Sequence, residues 1–172
     1  MKQIPLLSLL ILLLTACGST SIPVDVTLDE TWDLVISESI RDTFDIASVD
    51  LTEDEEDVGV DVVYELKQNS ETQGFVFQAT VDGDGGNDSV IFRLSMFDNE
   101  FQGFLVVEER EHNNFGDKQL NALSASLVGT QVSFSEVVAI LQRANAGRTG
   151  ITVTYDGLMP AIEAMVERYL SI

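Results

Sequence analysis

The chain has 172 residues, 29 acids against 9 bases, and a net charge of −20. That excess of acid excludes nucleic acid as a partner, because phosphate binding needs Lys and Arg, and it argues against lying flat on anionic lipid. One cysteine and one histidine exclude a disulfide framework and a His-based metal cluster.

The N-terminus is the most informative stretch. Lys2 gives a positive start, and Ile4 to Leu14 is an apolar run broken only by Pro5 and Ser8. Eleven residues are too few for a hydrocarbon core that needs ~20, so the run reads as a secretory signal and not as a membrane span. It ends in Leu14-Thr15-Ala16-Cys17, which resembles the lipobox of bacterial lipoproteins. The resemblance implies cleavage between Ala16 and Cys17, a diacylglyceryl group on the Cys17 sulfur and acylation (typically palmitate) of the new amino group. Two or more chains are what stable anchoring requires. Gly18 in place of Asp implies delivery to the outer membrane of a Gram-negative bacterium. The domains expected are a signal peptide over 1–16, a lipidated Cys17 with tether over 17–26, and one acidic domain over 27–172. Loss of Lys2 with the leader takes the net charge from −20 to −21. With Cys17 lipidated no thiol remains for catalysis or metal binding.

Thr27-Leu28-Asp29-Glu30 fits a capping box, and Leu28, Trp32, Val35, Ile36 and Ile40 follow at helical spacing, which predicts a helix over about 28–42 with Trp32 in the core. A short strand is expected from Ile46 to Thr52. Glu53-Asp54-Glu55-Glu56-Asp57 reads as a solvated loop in preference to a cation site.

A meander follows. Val60, Val62, Tyr64 and Leu66 alternate with more polar positions, as do Phe75, Phe77, Ala79 and Val81, then Val90, Phe92, Leu94 and Met96, and less cleanly Phe101 to Val107. This period of two predicts four antiparallel strands against a core, broken at Gln68-Asn69-Ser70, Asp82 to Asp88 and Asp98-Asn99-Glu100. Glu108 to Asn114 reads as a polar loop. Residues 118–130 fit a helix or a strand equally.

Ser133-Phe134-Ser135-Glu136 is a second capping box, with Val132 and Val137 placed for a hydrophobic staple. A helix carrying Val137, Ile140 and Leu141 should end at Gly147, with Arg143 near its negative end. Gly150 to Tyr155 reads as a strand, and a last helix over about 159–170 should have Pro160 in its first turn and bury Ile162, Met165, Val166 and Tyr169. Val132 to Met165 thus resembles the small helix-strand-helix units of secretin and transducer N-terminal domains, through common residue types that carry no function across. The expected fold class is α+β: a single domain with an antiparallel meander sheet of about four to six strands and helices packed on one face. Its core should draw on Val62, Tyr64, Phe75, Phe77, Phe92, Leu94, Ile140 and Leu141.

Gly83-Asp84-Gly85-Gly86-Asn87-Asp88-Ser89-Val90 resembles one calcium-binding repeat of the repeat-in-toxin type, with Asp84 in place of a glycine. Asp82, Asp84 and Asp88 are therefore the candidate Ca²⁺ ligands, hard oxygens on a flexible loop. Such repeats bind calcium between stacked copies and this chain has one, so a plain hairpin connection is expected, with no cofactor. A strand follows the glycines, which removes the helix N-terminus that a phosphate cradle needs. His112, in Glu-His-Asn-Asn, is the sole candidate imidazole base and reads as solvated; no nucleophile elbow accompanies it. The expected function is that of a non-enzymatic outer-membrane lipoprotein whose domain, in the periplasm or at the surface, binds a protein or another envelope component. The alternatives are a calcium-responsive module on Asp82–Asp88 and a small envelope hydrolase using His112.

Overall fold

Two tight hairpins organise the sheet. A computed structural model describes residue 28 and residues 32–82, 89–109, 116–145 and 152–172. In it β2 (Val60–Gln68) and β3 (Glu71–Asp82) are joined by Asn69-Ser70, and β4 (Ser89–Phe97) and β5 (Glu100–Glu109) by Asp98-Asn99. All four turn residues have φ between 54° and 67°. Two-residue loops with both φ positive carry the twist that matches right-handed strands, and they fix the pairs Gln68–Glu71 and Phe97–Glu100. A fifth strand, β1 (Asp45–Val49), pairs antiparallel with β2, and the order across the sheet is β1-β2-β3-β4-β5. The α+β meander expected from period-two patterning is therefore present, and β5 runs on through Glu108 and Glu109, where a polar loop was expected to begin.

Three helices cover one face: α3 (Gly116–Leu127), α4 (Phe134–Asn145) and α5 (Thr152–Leu170). Their Leu123, Val137, Ile140, Leu141, Ile162 and Met165 pack with Phe75, Phe77, Phe92, Leu94 and Met96 of the strands. The ambiguous residues after 118 are helical as far as Leu127. The second capping box forms at its Ser133 end, where the Glu136 N–H donates to Ser133 Oγ at 3.3 Å, and both staple valines are buried. Gly147 and, of the first capping box, Thr27, Asp29 and Glu30 lie outside the described residues.

The C-terminal expectation needs correction. No strand begins at 152: Thr152 already belongs to α5, which is helical to Leu170 with Pro160 inside it and not in its first turn. The β-branched run Ile151-Thr152-Val153-Thr154 favours a strand only where a pleated, half-buried site exists to take it. Here the segment is the start of a long helix that packs against β3, with Gly157 against Asp82, and propensity yields to tertiary context. The helix-strand-helix resemblance falls with the strand. Ile162, Met165, Val166 and Tyr169 are buried as expected.

The other face of the sheet is also covered. Trp32, Val35 and Ile36 close over Tyr64, Leu66, Val76 and Phe97 as a second core. The predicted helix over 28–42 is not continuous: Trp32 to Ile36 is a tight turn, with the Val35 and Ile36 N–H groups both on the Trp32 carbonyl, and a single helical turn, α1 (Glu38–Arg41), follows. The turn lies close against the sheet. A Cβ on Gly103 would stand 2.4 Å from the Val35 carbonyl oxygen, and buried Ser95 donates its hydroxyl to that same oxygen at 2.6 Å. Trp32 meets Tyr64 edge-on at 5.4 Å between centroids, and the Arg93 guanidinium stacks 3.6 Å from the Trp32 ring.

A bulge decides which face each β2 side chain takes. The register shifts between Val60 and Val62, so Val60 and Val63 join the helix-covered core while Val62, Tyr64 and Leu66 join the second one. The single apolar stripe expected of Val60, Val62, Tyr64 and Leu66 is thus divided, because one extra residue in a strand reverses its alternation.

Candidate functional site

The acidic run is where the structure departs most from expectation. Glu53–Asp57 is not a loop but a short helix, α2, capped by Thr52: the Glu55 N–H donates to Thr52 Oγ1 at 3.2 Å, and the Thr52 N–H to Glu55 Oε2 at 2.8 Å. Carboxylates in a first turn also face the positive end of the helix dipole. Four of the five acids are exposed, but Glu55 turns inward and is 2% exposed. Its Oε2 accepts Arg168 Nη1 of α5 at 2.5 Å, and Arg168 Nη2 donates to the Asp50 carbonyl at 3.0 Å. The guanidinium also lies 5.5 Å from the Phe75 ring. Glu55 Oε1 is buried without a hydrogen-bond partner. Arg168 thus ties the acidic helix to the sheet and to α5.

Beyond α2 the chain turns at Gly59, φ 84°, where a Cβ would stand 2.3 Å from the Thr80 carbonyl oxygen. The Thr80 N–H donates to the Gly59 carbonyl at 2.9 Å, which pins this turn against β3. The start of α5 approaches from the other side, Gly157 lying against Asp82. Between them is an open groove of about 400 Å³. Val58, Val81 and Pro160 supply apolar wall, and Glu56, Asp57 and Asp82 supply exposed carboxylates. Among the described residues, no Lys or Arg lines it. Exposed Asp61, which accepts the Thr80 hydroxyl at 2.7 Å, and exposed Asp156 add negative charge nearby.

Comparison with protein-family models, with curated proteins and with solved structures returns no match.

Of the residues singled out by sequence, Ala16, Cys17, Asp84, Asp88 and His112 lie outside the described residues. Asp82 closes β3 opposite Ser89 of β4, so the glycine-rich stretch joins the two strands of a hairpin. Among the described residues no three His, Cys, Asp or Glu side chains converge to hold a metal, and no helix is long and apolar enough to cross a membrane. The groove and the inward Glu55 were missed by sequence reasoning. A signal was present, since Thr52-Glu53-Asp54-Glu55 is itself a capping-box pattern.

One carboxyl near Arg168 has a resolved shift. Partial burial pushes Glu65 up, but hydrogen bonds from Lys67 and Thr72 and the charges of Lys67 and Arg168 outweigh that and leave it below its ordinary value. Lys67 Nζ is 2.7 Å from Glu65 Oε2, and the Thr72 hydroxyl donates to Oε1.

Proposed function

We propose that this chain is a non-enzymatic lipoprotein of the outer membrane, held by lipid on Cys17, whose acidic α+β domain binds a protein or another envelope component. The observation that carries the reading is Leu14-Thr15-Ala16-Cys17 behind an apolar run of eleven residues, Ile4 to Leu14. Cys17 and Trp32, the first described residue buried in the second core, are fifteen residues apart, so the tether keeps the domain within about 50 Å of its anchor. An acidic, well-solvated exterior keeps the domain off anionic lipid and leaves its surface for partners.

Labelled palmitate and membrane fractionation test the anchor. Wild-type protein should incorporate label and sediment with the outer membrane, and Cys17→Ser should do neither. A cleaved Cys17→Ser protein that still fractionates with the membrane would overturn the anchor. Crosslinking in intact envelopes tests the binding role, and a wild-type protein that crosslinks to nothing would overturn it.

A further inference from the structure

We infer that the outer edge of β1 is the docking site for an extended segment of a partner polypeptide, which adds to the sheet as a sixth strand. The inference rests on the binding role proposed above and names the kind of partner and its mode of contact. β1 pairs with β2 on one side, and among the described residues nothing hydrogen-bonds to the backbone of its other side. In such a strand alternate residues turn their N–H and C=O away from the existing neighbour. Asp45–Val49 therefore presents a row of backbone donors and acceptors at strand spacing, and an extended backbone is the ligand that matches it.

The two edges of the sheet differ. At β5 the chain covers its own edge: the Phe101 N–H donates to the Thr130 carbonyl at 3.0 Å, the Gly129 N–H to the Phe101 carbonyl at 2.7 Å, and the Ser124 hydroxyl to the Phe104 carbonyl at 3.1 Å. The β4–β5 register also shifts twice. Bulges, covering loops, prolines and lysines are how edges are kept from pairing, and β1 has none of them. Its register with β2 is unbroken from Asp45 to Val49, and its Ala47 and Ser48 are small and exposed.

Side chains and charge define the segment. Half-buried Ile46 borders the second core and half-buried Val49 the helix-covered one, so an incoming strand finds apolar surface on both faces, which suits β-branched residues. Asp42, Asp45 and Asp50 are exposed along this edge, and no Lys or Arg occurs from Asp42 to Leu66. Lys67, opposite Asp45, is paired with Glu65, and Arg168, which binds the Asp50 carbonyl, is paired with Glu55. Charge complementarity therefore selects a segment that is β-branched in its middle and basic at its ends. The same acids disfavour a second copy of this chain, which would bring its own Asp45, Asp50 and net charge of −20.

The test uses the full chain in detergent and, as probe, a fluorescein-labelled peptide blocked at both ends, with alternating valine and threonine between terminal lysines. One counterpart is N-methylated at every valine and threonine, and another has Glu for Lys. The parent peptide should bind, and both counterparts should bind more weakly by about tenfold or more. On binding, amide hydrogen exchange should slow by about tenfold or more within Asp45–Val49 and stay unchanged in β5. Equal binding of the N-methylated peptide, or slowing that spares β1, would overturn the site. Equal binding of the Glu peptide would overturn the basic partner. Exchange in β1 that slows as the protein is concentrated without peptide would give the edge to a second copy and overturn the foreign partner.

Ala47→Pro and Ser48→Pro test the edge from the protein's side. Alternation points one of these N–H groups at β2 and the other outward, so one variant keeps the β1–β2 ladder and melts near the wild-type temperature. That variant should lose binding by about tenfold or more, and unchanged binding in it would overturn the site. If both variants melt early, the exchange pattern of the wild-type protein decides alone.

Envelope crosslinking separates this failure from that of the binding role. A partner captured by wild type and equally by the stable proline variant overturns the edge and leaves the role standing. Capture of nothing by wild type overturns the role and the edge together.

Discussion

Arg168 reaches back across 113 residues of chain to place Nη1 2.5 Å from Glu55 Oε2. This contact fixes α2 against the sheet, and with it one wall of the groove. A buried ion pair adds little net stability, but removing one partner strands the other charge. We expect Arg168→Met to cost about 3–5 kcal/mol, because Glu55 is then left without its cation and nearly inaccessible to water. The double variant Glu55→Met with Arg168→Met should recover much of that loss. Urea unfolding followed by Trp32 fluorescence measures both, and a double variant as unstable as the single would show that packing, and not charge, is what Arg168 supplies.

The contact between Gly103 and Val35 should be as intolerant. A methyl at Gly103 would meet the Val35 oxygen, Cα and carbonyl carbon at 2.4, 2.7 and 2.9 Å, all of them backbone. Gly103→Ala must therefore lift the Trp32–Ile36 turn, at a cost of about 1–3 kcal/mol. Ser95→Ala should cost a similar ~1–3 kcal/mol by leaving the buried Val35 carbonyl short of its donor. In both variants Trp32 emission should shift to the red as the ring leaves Tyr64. Unchanged emission in Gly103→Ala would mean that the sheet, not the turn, gives way.

The strands were legible because alternation is written into them, and the two hairpins because Asn69-Ser70 and Asp98-Asn99 are residues that tolerate positive φ. What pattern alone does not carry is position in three dimensions. Nothing in Val60-Asp61-Val62-Val63 announces a bulge, so the facing of Val62 and Tyr64 was misassigned. Five consecutive acids look solvated, and the one that is buried depends on a partner 113 residues away. Thr152 to Tyr155 favour a strand locally but belong to the long helix α5, which packs against β3. The groove inherits all of these difficulties, since its walls come from α2, the β2–β3 border and α5.

Glu65 sets an acid-side prediction. Its carboxyl lies below the ordinary value in the folded state, so the unfolded chain takes up the proton first as pH falls. The stabilisation is complete above the ordinary value of about 4.5 and is lost as pH drops from there through the lowered value. Glu65→Gln should therefore lower stability at neutral pH and flatten its decline below about pH 4.5. Unfolding free energies measured from neutral pH into the acid range decide this. An unchanged slope would show that Lys67 and Thr72 hold no net advantage for the charged form.

Salt separates the roles of charge and core. At −20 the chain repels itself, while the ion pairs Arg41–Asp33, Lys67–Glu65 and Arg168–Glu55 pull the other way. Added NaCl screens exposed charges within about 10 Å at 0.1 M but reaches the buried Glu55–Arg168 pair much less. Self-repulsion is spread over many exposed acids, and two of the three pairs have a partner at the surface, so screening should remove more repulsion than attraction. Stability should rise from low to moderate NaCl. Phe77, fully buried between the strands and the helices, carries no charge and should not respond. Phe77→Ala should cost about 3–5 kcal/mol at every ionic strength, giving two parallel curves of stability against salt. Stability that falls as NaCl is added would mean that favourable pairs outweigh the acid excess, and a Phe77→Ala penalty that varies with salt would mean that charge and core are coupled through the sheet.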